Sequence, residues 1–396
     1  MQPLTLRDLS LSGKRVLMRV DFNVPQKKDS SISDDSRIQA ALPSIQYILQ
    51  HGASLVLMSH LGRPKAAPDP QFSLAPCAKR LSELLKKPVF FAPDCIGAQV
   101  ETMAQQLKPG EVLLLENLRF HAGEEEPDKE PFFVTSLAKL GDIYVNDAFG
   151  TAHRAHASTA LIARYFPRRS AVGFLMEKEI AFLSPLLHNP KRPFYAIIGG
   201  AKVSSKAGVI QNLLNQVDTL FIGGGMAFTF FKAKGIEIGD SLCEDSEIET
   251  AKKILQSGKS LYLPVDVVIA DAFSNEAKRK TITAKEGVPA GWRGMDIGPQ
   301  TVANWSALLG KASTVFWNGP LGVFEMVSFA VGTHQIAERL AQSTAEVIVG
   351  GGDSVAAIHQ MGLAGQFAHL STGGGASLEF LEYGHLPGID CLSAKD

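Results

Sequence analysis

The sequence predicts an α/β protein with two Rossmann-like, doubly wound parallel-sheet domains joined by a hinge helix. Short apolar runs alternate with stretches of helical spacing, and the runs are apolar throughout, which is typical of parallel strands covered on both faces. Composition also changes near residue 175, because the first part holds 11 of the 15 arginines and only 9 of the 36 glycines. The formal charge is +3 before that point and −4 after it. We therefore expect an N-terminal domain over residues 1–174, with a tail from about 382–396, and a C-terminal domain over 175–381.

The predicted elements follow in chain order. In the first domain the strands are Arg15–Val20, Ser54–Met58, Val112–Leu115 and Ile143–Val145. In the second they are Phe194–Ile198, Thr219–Ile222, Val265–Ile269, Thr314–Trp317 and Glu346–Val349. A helical apolar face comprises Ile38, Ala41, Leu42, Ile45 and Leu49, although Pro43 within it conflicts with a regular helix. Helix-forming residues at Leu175–Leu183 precede the breaker segment Asn189–Pro193, which predicts the hinge helix.

Bulk composition narrows the possible functions. The 396 residues are 45% hydrophobic and 20% charged, which is ordinary for a globular protein and excludes a disordered chain. The balance of 39 basic and 40 acidic residues, without a basic block, argues against a nucleic-acid partner. No apolar run reaches the roughly 18 residues of a membrane span, and the first residues lack the pattern of a secretory signal. Four cysteines without CxxC spacing indicate reduced thiols, so we expect a cytoplasmic protein without a membrane partner.

Polar side chains follow each predicted strand of the first domain, at the point where the strand ends. Carboxyl ends of parallel strands meet at one edge of a sheet, which is where such sheets bind ligands. The arginine fork matches phosphate and carboxylate oxygens, so a ring of arginines at this edge predicts a small, strongly anionic ligand. The residues concerned are Asp21, Asn23, His60, Arg63, Arg119 and Arg154, with Arg37 at the start of the first helix. His153 and His156 could alternatively hold a metal, but no third His or Cys stands nearby.

Glycine takes the corresponding positions in the second domain. Glycine-rich strand ends let backbone N–H groups and helix N-termini approach phosphates closely. The glycine runs are Gly199–Gly200, Gly223–Gly225, Gly319–Gly322, Gly350–Gly352 and Gly373–Gly375. None of them fits GxxxxGK[ST] or GxGxxG, which argues against a P-loop NTPase and a standard dinucleotide dehydrogenase. The run at Gly352–Ala356 only half resembles the elbow of a serine hydrolase, because alanine replaces its last glycine.

Charged residues beside the glycine runs suggest phosphoryl chemistry. Lys202 and Lys206 lie four residues apart where a strand gives way to a helix, and on a helix they would share one face. Beside a phosphate cradle they are candidate cations for a transferring phosphoryl group, although a solvated lysine face would have the same spacing. Asp353 is the candidate ligand for Mg²⁺, which takes one or two carboxylates together with phosphate oxygens and water. Glu325 is a candidate for ribose hydroxyls or, equally, a structural residue at a helix start.

Seven motifs, in order along nearly the whole chain, resemble the phosphoglycerate kinase family. They are Arg19–Pro25, Ser59–Pro64, Gly200–Val203, Gly223–Thr229, Asn318–Glu325, Gly350–Ser354 and Ser371–Leu378. The resemblance implies reversible transfer of the acyl phosphate of 1,3-bisphosphoglycerate to ADP, which gives 3-phosphoglycerate and ATP. It also implies Mg²⁺, a monomer, and a C-terminal tail, matched by Leu386–Asp390, that returns to the first domain.

The resemblance further implies a role for each matching residue. It assigns phosphoglycerate binding to Asp21, Asn23, Arg37, His60, Arg63, Arg119 and Arg154. It assigns nucleotide binding to Lys202, Lys206, Gly224, Asn318, Glu325, Gly351, Gly352, Asp353 and Ser354, with Asp353 on the metal. Arg37 and Lys206 are then the catalytic pair that neutralises charge on the transferring phosphoryl group.

Two alternatives from other classes remain at this point. A two-lobed protein that binds a nucleotide or sugar phosphate without catalysis would show ligand binding but no phosphoryl transfer. A dehydrogenase would need the GxGxxG motif that the chain lacks, and would change the absorbance of a nicotinamide cofactor.

Overall fold

The computed structural model describes residues 2–395, so residues 1 and 396 of the predicted first domain lie outside it. The described chain forms two compact units. One runs to Ala181 and resumes at His385, and the other spans Phe182–Gly384. All four cysteines are free thiols. Within residues 2–395, no helix combines the length and apolar composition that a membrane crossing needs.

The first unit is built on a six-stranded, fully parallel sheet. Its strands are β1 (Arg15–Arg19), β2 (Ser54–Met58), β3 (Val89–Phe91), β4 (Val112–Leu114), β5 (Ile143–Asn146) and β6 (Ser170–Val172). Its helices are α1 (Ser36–Gln50), α2 (Ala75–Leu85), α3 (Ala98–Gln105) and α4 (Phe133–Ala138). The spatial order β3-β4-β2-β1-β5-β6 shows that the chain starts in the middle of the sheet, adds β2, β3 and β4 on one side and then adds β5 and β6 on the other. The winding reverses between β1 and β5, and that point is the expected ligand site of an open parallel sheet.

Helix α1 shows how the apolar pattern positions one element on the sheet. Ile38, Ala41 and Ile45 recur at helical spacing and are buried in the core of the first unit. The helix continues through Pro43, whose ring is exposed, so water can bind the carbonyl that loses its N–H partner. Arg37 consequently lies in the first turn of a helix held firmly to the sheet.

Helix α5 (Phe174–His188) begins in the first unit and ends in the second. The remaining strands are β7 (Phe194–Ile198), β8 (Thr219–Ile222), β9 (Leu261–Tyr262), β10 (Asp266–Ala270), β11 (Arg279–Thr283), β12 (Arg293–Ile297), β13 (Thr314–Asn318), β14 (Glu346–Gly350) and β15 (His369–Leu370). The remaining helices are α6 (Ala207–Gln216), α7 (Ala227–Ala233), α8 (Ile248–Leu255), α9 (Pro299–Leu309), α10 (Val331–Ala341), α11 (Gly352–Gln360), α12 (Gly375–Tyr383) and α13 (Pro387–Asp390).

The second unit repeats the doubly wound plan. Its six-stranded parallel sheet has the order β15-β14-β13-β7-β8-β9, so the winding reverses between β7 and β13. Every residue of β7 and β13 is buried, as expected for central strands covered on both faces. The predicted fold class of two parallel-sheet α/β domains is thereby confirmed.

One predicted strand belongs to a different sheet. The run Val265–Ile269 corresponds to β10, which pairs antiparallel with β11 and β12 in a separate three-stranded sheet. The connection from Ala270 to Arg279 is too short for a helical crossover, so it permits only antiparallel pairing. Strands β3, β6, β9 and β15 were not predicted. Each has only two or three residues at a sheet edge, which is too short for a recognisable apolar run.

Candidate functional site

Three loops of the first unit meet at the carboxyl edge of its sheet. The side-chain oxygen of Asn23, after β1, accepts a hydrogen bond of 2.9 Å from the backbone N–H of Gly62, after β2. Arg119, after β4, donates from Nη1 to the Gly62 carbonyl at 2.8 Å. Residues far apart in sequence are therefore fixed together, as the parallel arrangement predicted.

Two further arginines stand at this edge. Arg37 forms an ion pair with Asp21, whose carboxylate follows β1. The side chain of Arg37 remains 38% exposed, so it can still reach a ligand. Arg63 is exposed in the loop after β2 and leaves its guanidinium open to solvent.

His60 is the buried centre of this arginine cluster. Its side chain is only slightly accessible. Burial, followed by the positive charges of Arg19, Arg119, Arg37 and Arg154, holds the pKa of His60 well below its usual value of 6.5. His60 is therefore an uncharged hydrogen-bonding group among guanidinium groups, and the cluster as a whole favours an anion.

Glu125 is a member of this site that the sequence did not reveal. Its carboxylate lies 2.8 Å from Nη2 of Arg119 and 3.9 Å from Nη1 of Arg154. It thus partly neutralises two of the arginines predicted to bind substrate. The acidic run of residues 124–126 is typical of a solvated charge cluster. Nothing in that pattern distinguishes Glu125 from the glutamates on either side of it.

The alternative of a metal held by His153 and His156 gains no support. His153 accepts a hydrogen bond from Arg154 at 3.3 Å, and burial with neighbouring arginines lowers the pKa of His156 to about 4. Cationic neighbours repel a metal ion. Over residues 2–395, three ligand atoms of His, Cys, Asp or Glu come within mutual reach only at Asp94, Cys95 and His121.

His121 is held between two carboxylates beside this edge. Nε2 lies 2.8 Å from Asp94 and Nδ1 lies 2.9 Å from Glu130. The hydrogen bond to Asp94, partly opposed by burial and aided by Glu130, raises the pKa of His121 to about 9. Because the folded pKa lies above the ordinary 6.5, the stabilisation is complete below pH 6.5 and disappears as the pH rises through 9.

We expect His121→Gln to lower the free energy of unfolding at pH 6 and to leave it nearly unchanged at pH 9.5. The cost at pH 6 should be about 1–2 kcal/mol, because solvent screens the half-exposed Asp94. Urea unfolding at both pH values measures the difference, with the exposed His359→Gln as the control. An equal loss at the two pH values would contradict an imidazolium pinned by two carboxylates.

Glycine is required where the second sheet reverses its winding. Gly319 follows β13 with a φ of +92°, and a Cβ there would lie 2.3 Å from the Gly199 carbonyl oxygen. Gly224 follows β8 with a φ of +69°, and its Cβ would lie 2.6 Å from the Gly200 nitrogen. The three strand ends therefore approach backbone to backbone, which leaves peptide groups rather than side chains at this edge.

Lys206 and Asn318 form the polar centre of the glycine edge. Nζ of Lys206 donates to Oδ1 of Asn318, while Nδ2 of Asn318 is buried without a hydrogen-bond partner in the protein. A Cβ on Gly351 would lie 2.9 Å from that Nδ2, so the free donor faces the start of α11. An unpartnered buried donor beside a lysine is suited to a ligand oxygen.

The expected helical face for the two lysines is incorrect. The segment from Lys202 to Lys206 is a turn, and α6 begins only at Ala207. Ser204 donates from its N–H and its hydroxyl to Glu244, at 3.0 and 2.6 Å, which anchors the turn outside the helix. Lys202 is exposed, whereas Lys206 points to Asn318.

The remaining predicted nucleotide residues lie at the ends of β13 and β14. Gly351, Gly352, Asp353 and Ser354 form the start of α11, where Asp353 is exposed and Ser354 is buried. The Ser354 hydroxyl accepts a bond of 2.7 Å from the N–H of Gly319, which ties α11 to the glycine edge. Glu325 is exposed and lines a cavity of about 360 Å³, to which Gln360 at the end of α11 also contributes.

The chain is similar to known phosphoglycerate kinases over nearly its whole length. The family model described as phosphoglycerate kinase matches residues 6–384. The phosphoglycerate kinase of Chloroflexus aurantiacus is 54% identical over 98% of both chains, and that of Fervidobacterium nodosum is 52% identical over 100% of this chain and 99% of its own.

Solved structures agree with these relatives. The structure of phosphoglycerate kinase from Coxiella burnetii has a TM-score of 0.87 at 42% identity, and that from Pyrococcus horikoshii has 0.85 at 35%. Each alignment covers 98% of both chains. The resemblance inferred from the motifs is confirmed: this chain belongs to the phosphoglycerate kinase family and is an ATP-dependent phosphotransferase.

Proposed function

We propose that the chain divides the phosphoglycerate kinase reaction between its two units. The arginine edge of the first unit binds 3-phosphoglycerate or 1,3-bisphosphoglycerate, and the glycine edge of the second binds ADP or ATP. The observation that carries this proposal is the convergence of guanidinium groups around the uncharged His60. Such a cluster suits a ligand with several negative charges. The residues that bind the acid are Asp21, Asn23, Arg37, His60, Arg63, Arg119 and Arg154.

The nucleotide phosphates bind the glycine edge. Backbone groups beside Gly224, Gly351 and Gly352 can approach phosphate oxygens without intervening side chains, at the N-terminus of α11. Asn318 offers its unpartnered Nδ2, and Ser354 keeps the edge in place through Gly319. The residues assigned to the nucleotide are Lys202, Lys206, Gly224, Asn318, Glu325, Gly351, Gly352, Asp353 and Ser354, with Glu325 on the ribose.

Asp353 is the residue that would hold Mg²⁺. Its exposed carboxylate stands in the first turn of α11, beside the peptide groups assigned to phosphate. A single hard oxygen ligand fits an ion that draws its other ligands from phosphates and water. When bound, Mg²⁺ supplies charge neutralisation between the nucleotide phosphates.

The chemistry requires positioning and charge rather than a general base. The attacking atom is an anionic phosphate or carboxylate oxygen in either direction, so no proton has to be removed. We propose that Arg37 and Lys206 neutralise the negative charge on the transferring phosphoryl group.

We also propose that the chain acts as a cytoplasmic monomer on small-molecule substrates. Its four free cysteines are the state expected in a reducing compartment. The near-neutral formal charge of −1 offers no general attraction for nucleic acid.

A coupled assay with 3-phosphoglycerate and ATP over a Mg²⁺ series tests the assignment. We expect turnover that depends on Mg²⁺, and Asp353→Asn should raise the half-saturating Mg²⁺ concentration about tenfold or more, because an amide is a weaker ligand than a carboxylate. The KM for 3-phosphoglycerate should not change. Asp271→Asn, at an exposed acid of the same unit, is the control. Ligand binding without turnover by the wild type would instead favour a non-catalytic binding protein, and an unchanged Mg²⁺ dependence of Asp353→Asn would remove Asp353 from the metal site.

A further inference from the structure

Arg19 is a buried cation whose charge is balanced within the first unit. Its side chain is 1% exposed, at the end of β1. A buried guanidinium is stable only when its donors are satisfied and an opposite charge lies near. Nε donates to the hydroxyl of Ser158 at 2.9 Å, and Nη1 donates to the carbonyl of Val20.

The acidic group that interacts electrostatically with Arg19 is Glu124, which is completely buried; burial raises the pKa of Glu124, and the positive charge of Arg19 opposes that rise. Its two carboxylate oxygens accept the backbone N–H of Ser158 at 3.0 Å and the Ser158 hydroxyl at 2.6 Å. Because that hydroxyl donates to Glu124, its oxygen lone pairs are left to accept from Arg19. Ser158 therefore has one defined orientation, and Glu124, Ser158 and Arg19 form a directional chain of hydrogen bonds.

The chain of hydrogen bonds ends on His60. Nη2 of Arg19 lies 3.1 Å from Nδ1 of His60. A guanidinium can only donate, so Nδ1 must be the unprotonated, accepting nitrogen. The proton of the neutral ring is consequently on Nε2, and the same contact excludes both the other tautomer and the imidazolium.

We propose that Glu124, Ser158 and Arg19 are positioning residues that hold His60 as a neutral ring with its hydrogen on Nε2, ready to donate to an oxygen of the bound phosphoglycerate. The proposal rests on the assignment of His60 to the acid substrate. It explains why an anion site places an uncharged imidazole among arginines. A neutral donor fixed in tautomer and direction adds geometric selectivity, whereas a further cation would add only attraction.

The positions of the three residues in the fold explain why the arrangement is rigid. Arg19 ends a central strand, so its backbone is fixed by β2 and β5 on either side. The Glu124 carbonyl accepts the N–H of Ala157 at 3.0 Å, which fastens its segment to that of Ser158. The Ser158 carbonyl accepts from the hydroxyl of Tyr144 on β5 at 2.7 Å. Each member is thus held by contacts additional to the hydrogen bonds that link the three side chains.

Ser158→Ala is the most direct test, because it removes one hydroxyl and no charge. Two readouts apply. The ¹⁵N spectrum of the His60 ring should show an unprotonated Nδ1 in the wild type, and a mixture of protonation states in the variant. In the coupled assay the KM for 3-phosphoglycerate should rise about tenfold, the cost of a misdirected hydrogen bond to a charged ligand. The KM for ATP should stay within about twofold, since the nucleotide residues are untouched.

Ser170→Ala is the matched control. Ser170 is equally buried in the same unit. Its hydroxyl forms a hydrogen bond with Ser393 and none with Glu124, Ser158 or Arg19. It should lose comparable stability and leave both the His60 spectrum and the KM for 3-phosphoglycerate unchanged. If Ser158→Ala behaves like Ser170→Ala in both readouts, the three residues are only structural and the proposal fails.

Glu124→Gln extends the test to the charge. The amide cannot satisfy both Ser158 donors in either orientation, so we expect a larger change in the His60 spectrum than for Ser158→Ala. Should that variant not fold, Ser158→Ala still decides the question.

A wild-type His60 with a protonated Nδ1 would overturn the proposal about the tautomer and leave the proposed function unaffected. Failure of the wild type to bind 3-phosphoglycerate, with Nδ1 unprotonated, would overturn the function but not the tautomer.

Discussion

Lys206→Ala is expected to lower kcat by about 10²–10³-fold in the coupled assay, the usual loss when one preorganised cation or donor is removed from a transferring group. Lys206 is partly buried, and Asn318 accepts a hydrogen bond from its ammonium group at the glycine edge. A cation that is already desolvated and oriented costs little reorganisation during the reaction. We expect a smaller change in the KM for ATP than in kcat, because the proposed role of Lys206 is to act mainly on the phosphoryl group during its transfer.

The pH dependence offers an independent check on Lys206. Burial, partly opposed by Asp353, lowers the pKa of Lys206 to about 8 in the free protein. The ammonium form predominates below that pH and is lost above it, so kcat/KM for ATP should fall as the pH rises through 8. Lys206→Met keeps the volume without the charge and should resemble Lys206→Ala. Lys252→Ala, at a half-exposed lysine of α8 that pairs with Glu249, is the control. Near-normal kcat in Lys206→Met would contradict the catalytic role of Lys206.

Arg37→Ala is expected to lower kcat by a similar factor, about 10²–10³. The first turn of α1 fixes its backbone, and Asp21 directs its guanidinium. Because the side chain is only partly buried, its removal leaves no large cavity, and the free energy of unfolding should change little. An effect on kcat with little effect on stability is the pattern of a group that touches the reacting phosphate.

The variant Arg37→Lys separates the effect of the positive charge from that of the planar guanidinium group. Arg37→Lys retains the charge but loses the planar fork, so it should recover part of the lost kcat and not all of it. Arg164→Ala, which removes an arginine stacked on Tyr165 in the same unit, is the control for a general loss of positive charge. Recovery of full activity in Arg37→Lys would mean that charge alone matters, and wild-type kcat in Arg37→Ala would exclude the catalytic assignment.

Much of the fold and the location of both edges was predictable from local patterns. Central strands such as β2 and β7 are buried along their whole length, so they appear in the sequence as unbroken apolar runs. The residues that follow such strands lie by geometry at one edge of the sheet, which is why Asn23 and Arg119 could be placed together before any contact was known. Parallel topology thus converts sequence position into spatial proximity.

Pairing direction and side-chain environment were not predictable in the same way. The apolar run of β10 resembles a parallel strand, yet its short connection to β11 makes it antiparallel. Lys202 and Lys206 have helical spacing, yet Glu244 holds the segment between them as a turn. In the first case the length of a connection outweighs the local pattern, and in the second case a contact with a residue distant in sequence does so.

Three consecutive glutamates show that sequence alone does not predict the environment of a side chain. Glu124 is buried against Ser158, Glu125 pairs with Arg119, and Glu126 pairs with Lys129 at the surface. The sequence by itself determined the two-domain α/β class, the arginine edge, the glycine edge and the family, because those follow from periodicity and residue type along single elements. Only the tertiary structure decided which acid is a buried counter-ion, which tautomer His60 adopts and which lysine faces Asn318. Those properties depend on desolvation and on the charges of neighbours contributed by other strands, and no local pattern carries them.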